Sequence, residues 1–364
     1  MYTRNVIATA VLAVAGAALS PGATAQGDQA APGAPRVGEP PPETEPERPE
    51  VQAIADVGGV LTPEGVLVVE PAFQFSNSQV NRFTFLGTEI LSTFLVGLIE
   101  AEDIDRDVFS PQLSLRYGLT SRLEAGIKIP WVYREEDREV QIPQASSGSG
   151  DSPVISENLT GEGLGDVELS LHWQINQGSA PYYVANLRYK SDTGTGPFDV
   201  DFNDLGLEEE LATGSGFEAV EPSLTVLVPS DPAVFYGNIG YVYNMAENVD
   251  KVIGSGDAAR RIGEVDPGDS LRFSFGMAVS LNPRASFNIG YKHEFIDGTD
   301  SEIGSVDLAP VDTSTSDLQV GSLLFGLSHK TGARSSLNVN LEVGATADAP
   351  DVALTVSLPW SFGP

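Results

Sequence analysis

The chain has 364 residues and no cysteine, and 51 Asp and Glu residues against 20 Lys and Arg residues give a formal net charge of −31. The lack of cysteine excludes a disulfide framework, a thiolate zinc site and a thiol nucleophile. The acidic excess argues against binding to nucleic acid and against docking on anionic lipid through a basic patch.

The first residues predict a cleaved secretory signal over residues 1–25. Arg4 precedes an apolar run over residues 6–19, and small residues at 23–25 offer a cleavage site. The run is short for a transmembrane anchor and is followed by small residues, so a signal peptide is the better interpretation. Residues 26–56 are rich in proline and glutamate, which predicts a disordered periplasmic linker.

Beyond the linker, apolar and polar residues alternate with period two, which is typical of β-strands. In residues 122–133 the odd positions are all apolar, while Arg122, Glu124 and Lys128 occupy even positions. Residues 166–175 and 271–281 alternate in the same way. Because successive side chains of a strand point to opposite faces, the pattern predicts a sheet with one apolar and one polar face.

The connections between strands distinguish a membrane barrel from a soluble sandwich. Short turns alternate with long, irregular segments, as in outer-membrane barrels with short periplasmic turns and long external loops. The rhythm is imperfect near 103–106 and 347–350, where the outer connections are brief. The long segments lie at about 134–162, 191–216, 246–270 and 297–318.

We therefore predict an all-β fold: a transmembrane, antiparallel up-and-down β-barrel over residues 57–364. An even count of about 12 strands returns the C-terminus to the side of the short turns. Residues 66–77 and 81–87 form a further hairpin that either raises the count to 14 or packs against the barrel. The predicted strands lie near 90–102, 107–118, 122–133, 163–176, 181–190, 217–229, 233–244, 270–282, 285–296, 317–330, 334–346 and 351–362.

The polar face carries too many charges for a dry protein core. Burying twelve ionisable groups would be prohibitive unless all were paired, whereas a water-filled lumen keeps them solvated. We predict that these groups line the lumen and shape its selectivity. They are Arg116, Arg122, Glu124, Lys128, Glu168, His172, Arg188, Lys190, Arg272, Lys292, Glu294 and Glu342.

The four long segments hold most of the excess negative charge, with 26 Asp and Glu residues and only 5 Lys and Arg residues. Such a rim should repel anions and concentrate cations at the outer mouth. Loop carboxylates could also hold calcium, but no spacing matches an EF-hand or a calcium-binding repeat. We predict a solvated acidic rim, with no metal and no cofactor.

The final strand predicts a recognition signal for the bacterial barrel-assembly machinery. Every second residue from Val352 to Phe362 is apolar, and the strand ends in aromatic residues. Outer-membrane lipids are the other expected partner. The aromatic residues near strand ends predict interfacial girdles and comprise Tyr117, Trp131, Tyr183, Phe235, Trp360 and Phe362.

Four stretches resemble a known family. They are RYGLTSRLE at 116–124, GLGDV at 163–167, SDPAVF at 230–235 and VDPGDS at 265–270. The sequence is similar over residues 57–362 to the outer-membrane transporter-like family named for the meta-pathway of phenol degradation. The resemblance implies an outer-membrane barrel that imports small organic compounds, aromatic ones among them.

The predicted function is a non-enzymatic outer-membrane channel or transporter that passes small molecules through a charged lumen. One alternative is a structural or adhesion barrel whose lumen is closed by paired charges. Another is a lipid-face hydrolase, because His293 and His329 fall on the apolar face. Neither histidine has the His-x-Ser-Asn-Gly pattern of outer-membrane phospholipases, and no Walker A loop or HExxH motif is present.

Overall fold

The structure is a computed structural model that describes residues 61–79, 100–141, 154–204, 206–256, 259–306 and 310–363. The predicted signal peptide and the predicted linker lie outside these residues. No helix among the described residues is long and apolar enough to cross a bilayer.

Eighteen strands account for the described secondary structure. They are β1 (Leu67–Gln79), β2 (Glu100–Thr120), β3 (Leu123–Gln141), β4 (Val154–Leu164), β5 (Glu168–Gln174), β6 (Tyr182–Lys190), β7 (Ala219–Ser230), β8 (Ala233–Asn244), β9 (Glu247–Ile253), β10 (Arg260–Asp266), β11 (Ser270–Asn282), β12 (Ala285–Ile296), β13 (Asp300–Ser305), β14 (Val311–Ser314), β15 (Leu318–Lys330), β16 (Ser336–Gly344), β17 (Val352–Ser357) and β18 (Trp360–Phe362).

Fourteen of these strands form one antiparallel sheet that closes on itself. Around the ring the order is β1, β2, β3, β6, β7, β8, β11, β12, β15, β16 and back to β1, with two split strands inserted. Both β4 and β5 pair with β3, and β5 continues the ring to β6. The pair β17 and β18 closes the ring against β1. The sheet is therefore a twelve-stranded up-and-down barrel, and β4 extends its wall with β3 as its strand partner.

The predicted count of twelve is confirmed, but the first strands differ from the prediction. Residues 66–77 were predicted either to raise the number of strands to 14 or to pack against the barrel. Instead they supply β1, one of the twelve strands, which pairs with β2 and β17 and completes the ring. The prediction of a brief outer connection near 103–106 is wrong, since β2 runs unbroken from Glu100 to Thr120. Residues 81–87 and most of the predicted strand 90–102 lie outside the described residues.

The long segments between strands are more ordered than their irregular sequence predicts. Within 134–162, β3 continues to Gln141 and pairs with β4, so the hairpin extends the barrel wall. The segments 246–270 and 297–318 supply β9, β10, β13 and β14, which form a separate four-stranded sheet.

This second sheet packs on part of the loop between β6 and β7. Its core contains Phe198 and Phe217 from the loop together with Ile253, Ile262 and Val265 from β9 and β10. All five side chains are buried, and the rings of Phe198 and Phe217 meet edge to face. Apolar residues thus give the acidic loops a small core of their own.

An apolar belt covers the outside of the barrel through the middle of its strands. Leu224 and Val228 on β7, Phe235 and Ile239 on β8 and Phe275 on β11 are all exposed. A closed barrel that shows contiguous large apolar side chains on its outer face is the architecture of outer-membrane proteins. The predicted girdle residues also lie exposed on this face, namely Tyr117, Trp131, Tyr183, Phe235, Trp360 and Phe362.

A charge placed on the belt should cost far more than the same charge elsewhere on the surface. Ile239 on the belt and Val252 on the second sheet are 53% and 50% exposed, respectively. In lipid vesicles we expect Ile239→Arg to lower the free energy of unfolding by about 2–4 kcal/mol, because the guanidinium would face hydrocarbon.

The matched control is Val252→Arg, which should change the unfolding free energy by less than about 0.5 kcal/mol, as is usual for surface substitutions. Denaturant titration of both variants in vesicles measures the difference. Equal effects of the two substitutions would show that the belt faces water.

Candidate functional site

A chain of ion pairs crosses the inner face of the barrel. Its five contacts link six strands, from β3 to β12, and each charge except those at the two ends touches a partner on both sides. The nitrogen-to-oxygen distances include 3.1 Å for Lys128 to Glu168 and 2.8 Å for Arg272 to Glu294. In order, the members are Lys128, Glu168, Arg188, Glu221, Arg272 and Glu294.

The chain of ion pairs passes over β8 without using a residue from it. Glu221 on β7 contacts Arg272 on β11 at 3.1 Å, although β8 lies between the two strands. At that height β8 presents Gly240, which pairs with Arg272 on one side and Ser223 on the other. A Cβ on Gly240 would lie 2.8 Å from Oε1 of Glu221, so the missing side chain makes room for the bridge.

Two further pairs involve predicted residues outside this chain. Arg116 contacts Glu70 across β1 and β2 at 3.0 Å, and Lys292 contacts Glu342 at 2.5 Å. Both cations are partly exposed to the lumen, with 26% of the Arg116 side chain and 35% of the Lys292 side chain accessible. Partial exposure keeps such groups hydrated, so each pair stabilises the barrel only modestly.

Two predicted residues near the short turns make contacts outside the chain of ion pairs. Glu124 is buried, and its Oε2 accepts a hydrogen bond of 2.6 Å from the backbone N–H of Thr62. Arg122 lies at the rim, where it donates to the carbonyl oxygens of Gln174 and Ile175 and sits over the ring of Trp173. The structure therefore separates Arg122 and Glu124 from the chain of ion pairs.

His172 and Lys190 also face inward but belong to separate contacts. Nδ1 of His172 lies 2.8 Å from Oδ1 of Asn186 on the neighbouring strand. Lys190 is buried, donates to Oγ of Ser215 at 2.6 Å and lies 3.8 Å from Oδ2 of Asp166. Lys190 thus ties the barrel wall to the loop between β6 and β7.

Part of that loop, residues 207–217, folds against the inner face of the wall, and we refer to it as the inner segment. Arg134 on β3 donates to the carbonyl oxygen of Ala212 at 2.8 Å, and Arg138 forms a 4.0 Å ion pair with Glu208. Asp166 accepts hydrogen bonds from the backbone N–H and the hydroxyl of Ser215. Side chains of the wall therefore hold the inner segment within the outer part of the barrel.

Glycines on β4 allow the inner segment to approach this closely. A Cβ on Gly161 would lie 2.0 Å from the carbonyl oxygen of Leu211, which is well inside contact distance. A Cβ on Gly163, two residues along, would meet Thr213 only at 3.4 Å. The absence of a side chain at Gly161 is therefore required for the contact, and at Gly163 it is merely compatible with it.

Several of these charged residues were missed by the sequence prediction. Arg134, Glu136 and Arg138 were assigned to an irregular loop, yet they continue the even, inward positions of β3, and Arg106 pairs with Glu136 at 2.7 Å. Glu221 was left out although it also falls on the inward positions of its strand, between Ala219 and Ser223. Extending the parity of β3 outward would have found the first three, and applying the same parity within the predicted strand 217–229 would have found Glu221.

A cavity lies on the inner face of the barrel beside these groups. It is bounded by β1 and β2, by Lys128, Glu168 and Lys190 on the neighbouring strands, and by Thr213 of the inner segment. Its walls carry amide, hydroxyl and charged side chains together with Val108 and Val132, and most of the surface that a bound solute would touch belongs to carbon atoms.

The loops around this end of the barrel are acidic. Burial raises the pKa of Glu247 on β9, and the nearby carboxylates of Asp192, Asp199 and Glu218 raise it further. Carboxylates that disfavour one another's ionisation create a negative potential, which attracts cations. Among the described residues, no group of three or more His, Asp and Glu side chains is arranged to hold a metal ion.

The two histidines considered for hydrolysis lie on the outer face. His293 is buried among Phe273, Tyr291 and Phe295, and its Nδ1 lies 2.8 Å from the Tyr291 hydroxyl. In the part of the chain that the structure describes, no serine hydroxyl lies within hydrogen-bond distance of the imidazole of His293 or of the imidazole of His329. His293 therefore packs as a member of an aromatic cluster.

The chain of ion pairs should stabilise the barrel more than an isolated pair does. Glu221→Gln leaves Arg188 and Arg272, which share Glu221, with one carboxylate contact fewer each, so we expect the free energy of unfolding to fall by about 1–3 kcal/mol. The control Glu342→Gln removes a single pair that is more exposed, so it should lower the free energy of unfolding by less than about 1 kcal/mol. Denaturant titrations compare the two, and a larger effect at Glu342 would contradict the ranking.

The glycine spacing on β4 predicts unequal effects of two small substitutions. Gly161→Ala should push the inner segment off the wall, whereas Gly163→Ala should leave it in place. A glutamate-specific protease should then cleave folded Gly161→Ala faster at Glu208–Glu210 than either wild type or Gly163→Ala. Migration of unheated samples on a gel checks that both barrels are folded, and equal cleavage rates would show that the segment is not held by this contact.

No family model matches the sequence. Among solved structures, the chain is similar to an outer-membrane channel from Pseudomonas putida F1, with 15% identity over 84% of this chain and 98% of that chain and a TM-score of 0.51. It is also similar to the translocator domain of the autotransporter NalP from Neisseria meningitidis (8% identity, 84% and 92% coverage, TM-score 0.41). A FadL homologue from Pseudomonas aeruginosa matches at 7% identity, 85% and 96% coverage and a TM-score of 0.40. The likeness to the P. putida channel shows that the two chains share the fold of an outer-membrane β-barrel.

Proposed function

We propose that the protein is an outer-membrane channel that passes small solutes through a charged lumen. The observation that carries the proposal is the contrast between the two faces of one closed sheet. Its outer face is an apolar belt, while its inner face holds the chain of ion pairs from Lys128 to Glu294. The P. putida protein that shares the fold is itself an outer-membrane channel.

The charges on the inner face suit a hydrated path. The side chains of Lys128 and Arg188 are 28% and 29% exposed, so these cations keep part of their hydration. Positive and negative groups alternate along the wall, so a polar solute meets no continuous stretch of one charge that would repel it. We propose that the lumen-facing members of the twelve predicted residues line this path.

The location follows from the same architecture. Short turns of outer-membrane barrels face the periplasm and long loops face the exterior. In this proposal residues 1–25 direct export, residues 26–56 form a periplasmic linker, and the terminal strands β17 and β18 carry the signal for the barrel-assembly machinery. Lipids of the outer membrane cover the apolar belt.

The family resemblance supplies a substrate class. The stretches at 116–124 and 163–167 resemble the transporter-like family named for phenol degradation, which implies small organic solutes, aromatic ones among them. The first stretch contains the turn between β2 and β3, and the second joins the end of β4 to β5, so they support the architecture more directly than the substrate.

A second candidate is a structural or adhesion barrel with a closed lumen. Two observations favour it: the inner charges pair with one another, and the inner segment narrows the outer part of the barrel. This candidate requires that no ions pass, whereas a channel requires that they do.

Ionic conductance separates the two candidates. Purified protein reconstituted in planar bilayers should produce discrete conductance steps, because water-filled space beside charged walls admits small ions. A sample heated to unfold the barrel provides the control. A correctly folded barrel that never conducts would leave the closed structural barrel as the function.

The acidic mouth should make the conductance cation-selective. Under a salt gradient, the reversal potential should favour the cation, and Glu209→Gln with Glu210→Gln should reduce that preference because both carboxylates lie exposed in the inner segment. The control is Asp231→Asn in the short turn between β7 and β8, which should leave the outer mouth unchanged. A reversal potential that favours chloride would contradict this prediction.

A further inference from the structure

The cavity beside the inner segment has two chemically different walls. One wall consists of inward side chains on β1 and β2, among them Gln74, Ser76, Ser110 and Gln112, and we call it the amide wall. The adjoining wall, formed by β3, β5 and β6 and the turn at Asp166, carries charged groups, and we call it the charged wall. The difference between the walls lies in which polar groups are already satisfied.

The charged wall has little capacity left for a ligand. Lys128 and Arg188 both contact Glu168, at 3.1 Å and 3.2 Å. Asp166 accepts hydrogen bonds from Gly194 and Ser215 in addition to its ion pair with Lys190. A ligand that drew one of these groups away would have to leave its former partner unsatisfied, which costs more than a neutral hydrogen bond returns.

These charges also cancel. The charged wall brings two cations, Lys128 and Lys190, and two carboxylates, Asp166 and Glu168, to the cavity. The cavity itself therefore offers no net charge to attract an ion, in contrast to the acidic loops outside it.

The amide wall is uncommitted. Among the described residues, no side-chain hydrogen bond involves Gln74, Ser76, Ser110 or Gln112, although all four line the cavity. Two carboxamides and two hydroxyls on adjacent strands supply both donors and acceptors. A ligand meets these groups without breaking any contact of the protein.

We infer that the cavity binds a small neutral solute with several hydroxyl or amide groups, such as a polyol or a sugar. Such a solute donates to and accepts from Gln74 and Gln112 while its carbon skeleton contacts Val108 and Val132. None of the described side chains that line the cavity is aromatic, so it offers no ring to stack on a planar aromatic solute. This inference rests on the proposed channel function and names the solute class that its lumen selects.

Three six-carbon solutes with several hydroxyl groups each and different charges test the selectivity. Sorbitol is neutral, gluconate carries a negative charge and glucosamine carries a positive charge at neutral pH. Each is added to the full-length protein in planar bilayers, and the concentration that halves the ionic current is measured. We expect sorbitol to block at a lower concentration than either charged solute.

Substitutions identify the wall responsible. Gln74→Leu and Gln112→Leu together should raise the half-blocking concentration of sorbitol at least tenfold, since each lost hydrogen bond is worth roughly a fivefold change in affinity. Their effect on gluconate and glucosamine should stay within about twofold, within the range of ordinary surface effects. The matched control is Gln174→Leu, because Gln174 is an inward glutamine on β5 that does not line the cavity.

The outcomes of this inference and of the proposed function are separable. Preferred block by gluconate or glucosamine, or sorbitol block unaffected by the double substitution, would overturn the inference and leave the channel intact. Absence of current from a folded barrel would overturn the channel. In that case saturation-transfer NMR with sorbitol on the detergent-solubilised protein decides the inference: binding lost in the double variant supports the solute class, and no binding refutes it.

Discussion

The structure depends on one constraint: in a closed sheet, every strand residue must face either the exterior or the interior. An inward charge cannot escape to the outer surface without reversing the parity of its whole strand. Charges such as Arg188 and Glu221 must therefore find partners on neighbouring strands or remain hydrated in the lumen. The observed contacts do both, since the groups pair and stay partly exposed. Polar interior and apolar exterior are two consequences of the same closure.

Glycine positions, as well as charged side chains, determine the structure of the barrel interior. The inner segment approaches β4 because Gly161 presents only its backbone, and backbone carbonyls of the segment then become acceptors for Arg134. Burial of a guanidinium normally costs several kcal/mol, and a carbonyl partner offsets part of that cost. The narrow part of the barrel thus depends on two neighbouring strands: β4 has a glycine where the inner segment approaches, and β3 has the long side chain that binds the segment.

The sequence predicted most of the barrel because period-two alternation survives wherever one face meets lipid. It predicted Lys128, Glu168, Arg188, Arg272 and Glu294 as inward residues, and the structure brings these five into one chain of contacts. It failed beyond the belt, where both faces of β2 and β3 are polar and hydrophobic alternation disappears. The partners of each charge and the four-stranded sheet of the loops depend on long-range pairing, which no local pattern in the sequence reports.

The glycine on β8 also limits how that strand can slide. A strand keeps its inward and outward faces only if it shifts by two residues, so the nearest alternatives to Gly240 beneath the Glu221–Arg272 pair are Asn238 and Val242. Either side chain would occupy the space that the pair crosses. The ion pair therefore acts as a register lock: it selects the one alignment of β8 in which the strand beneath it is bare.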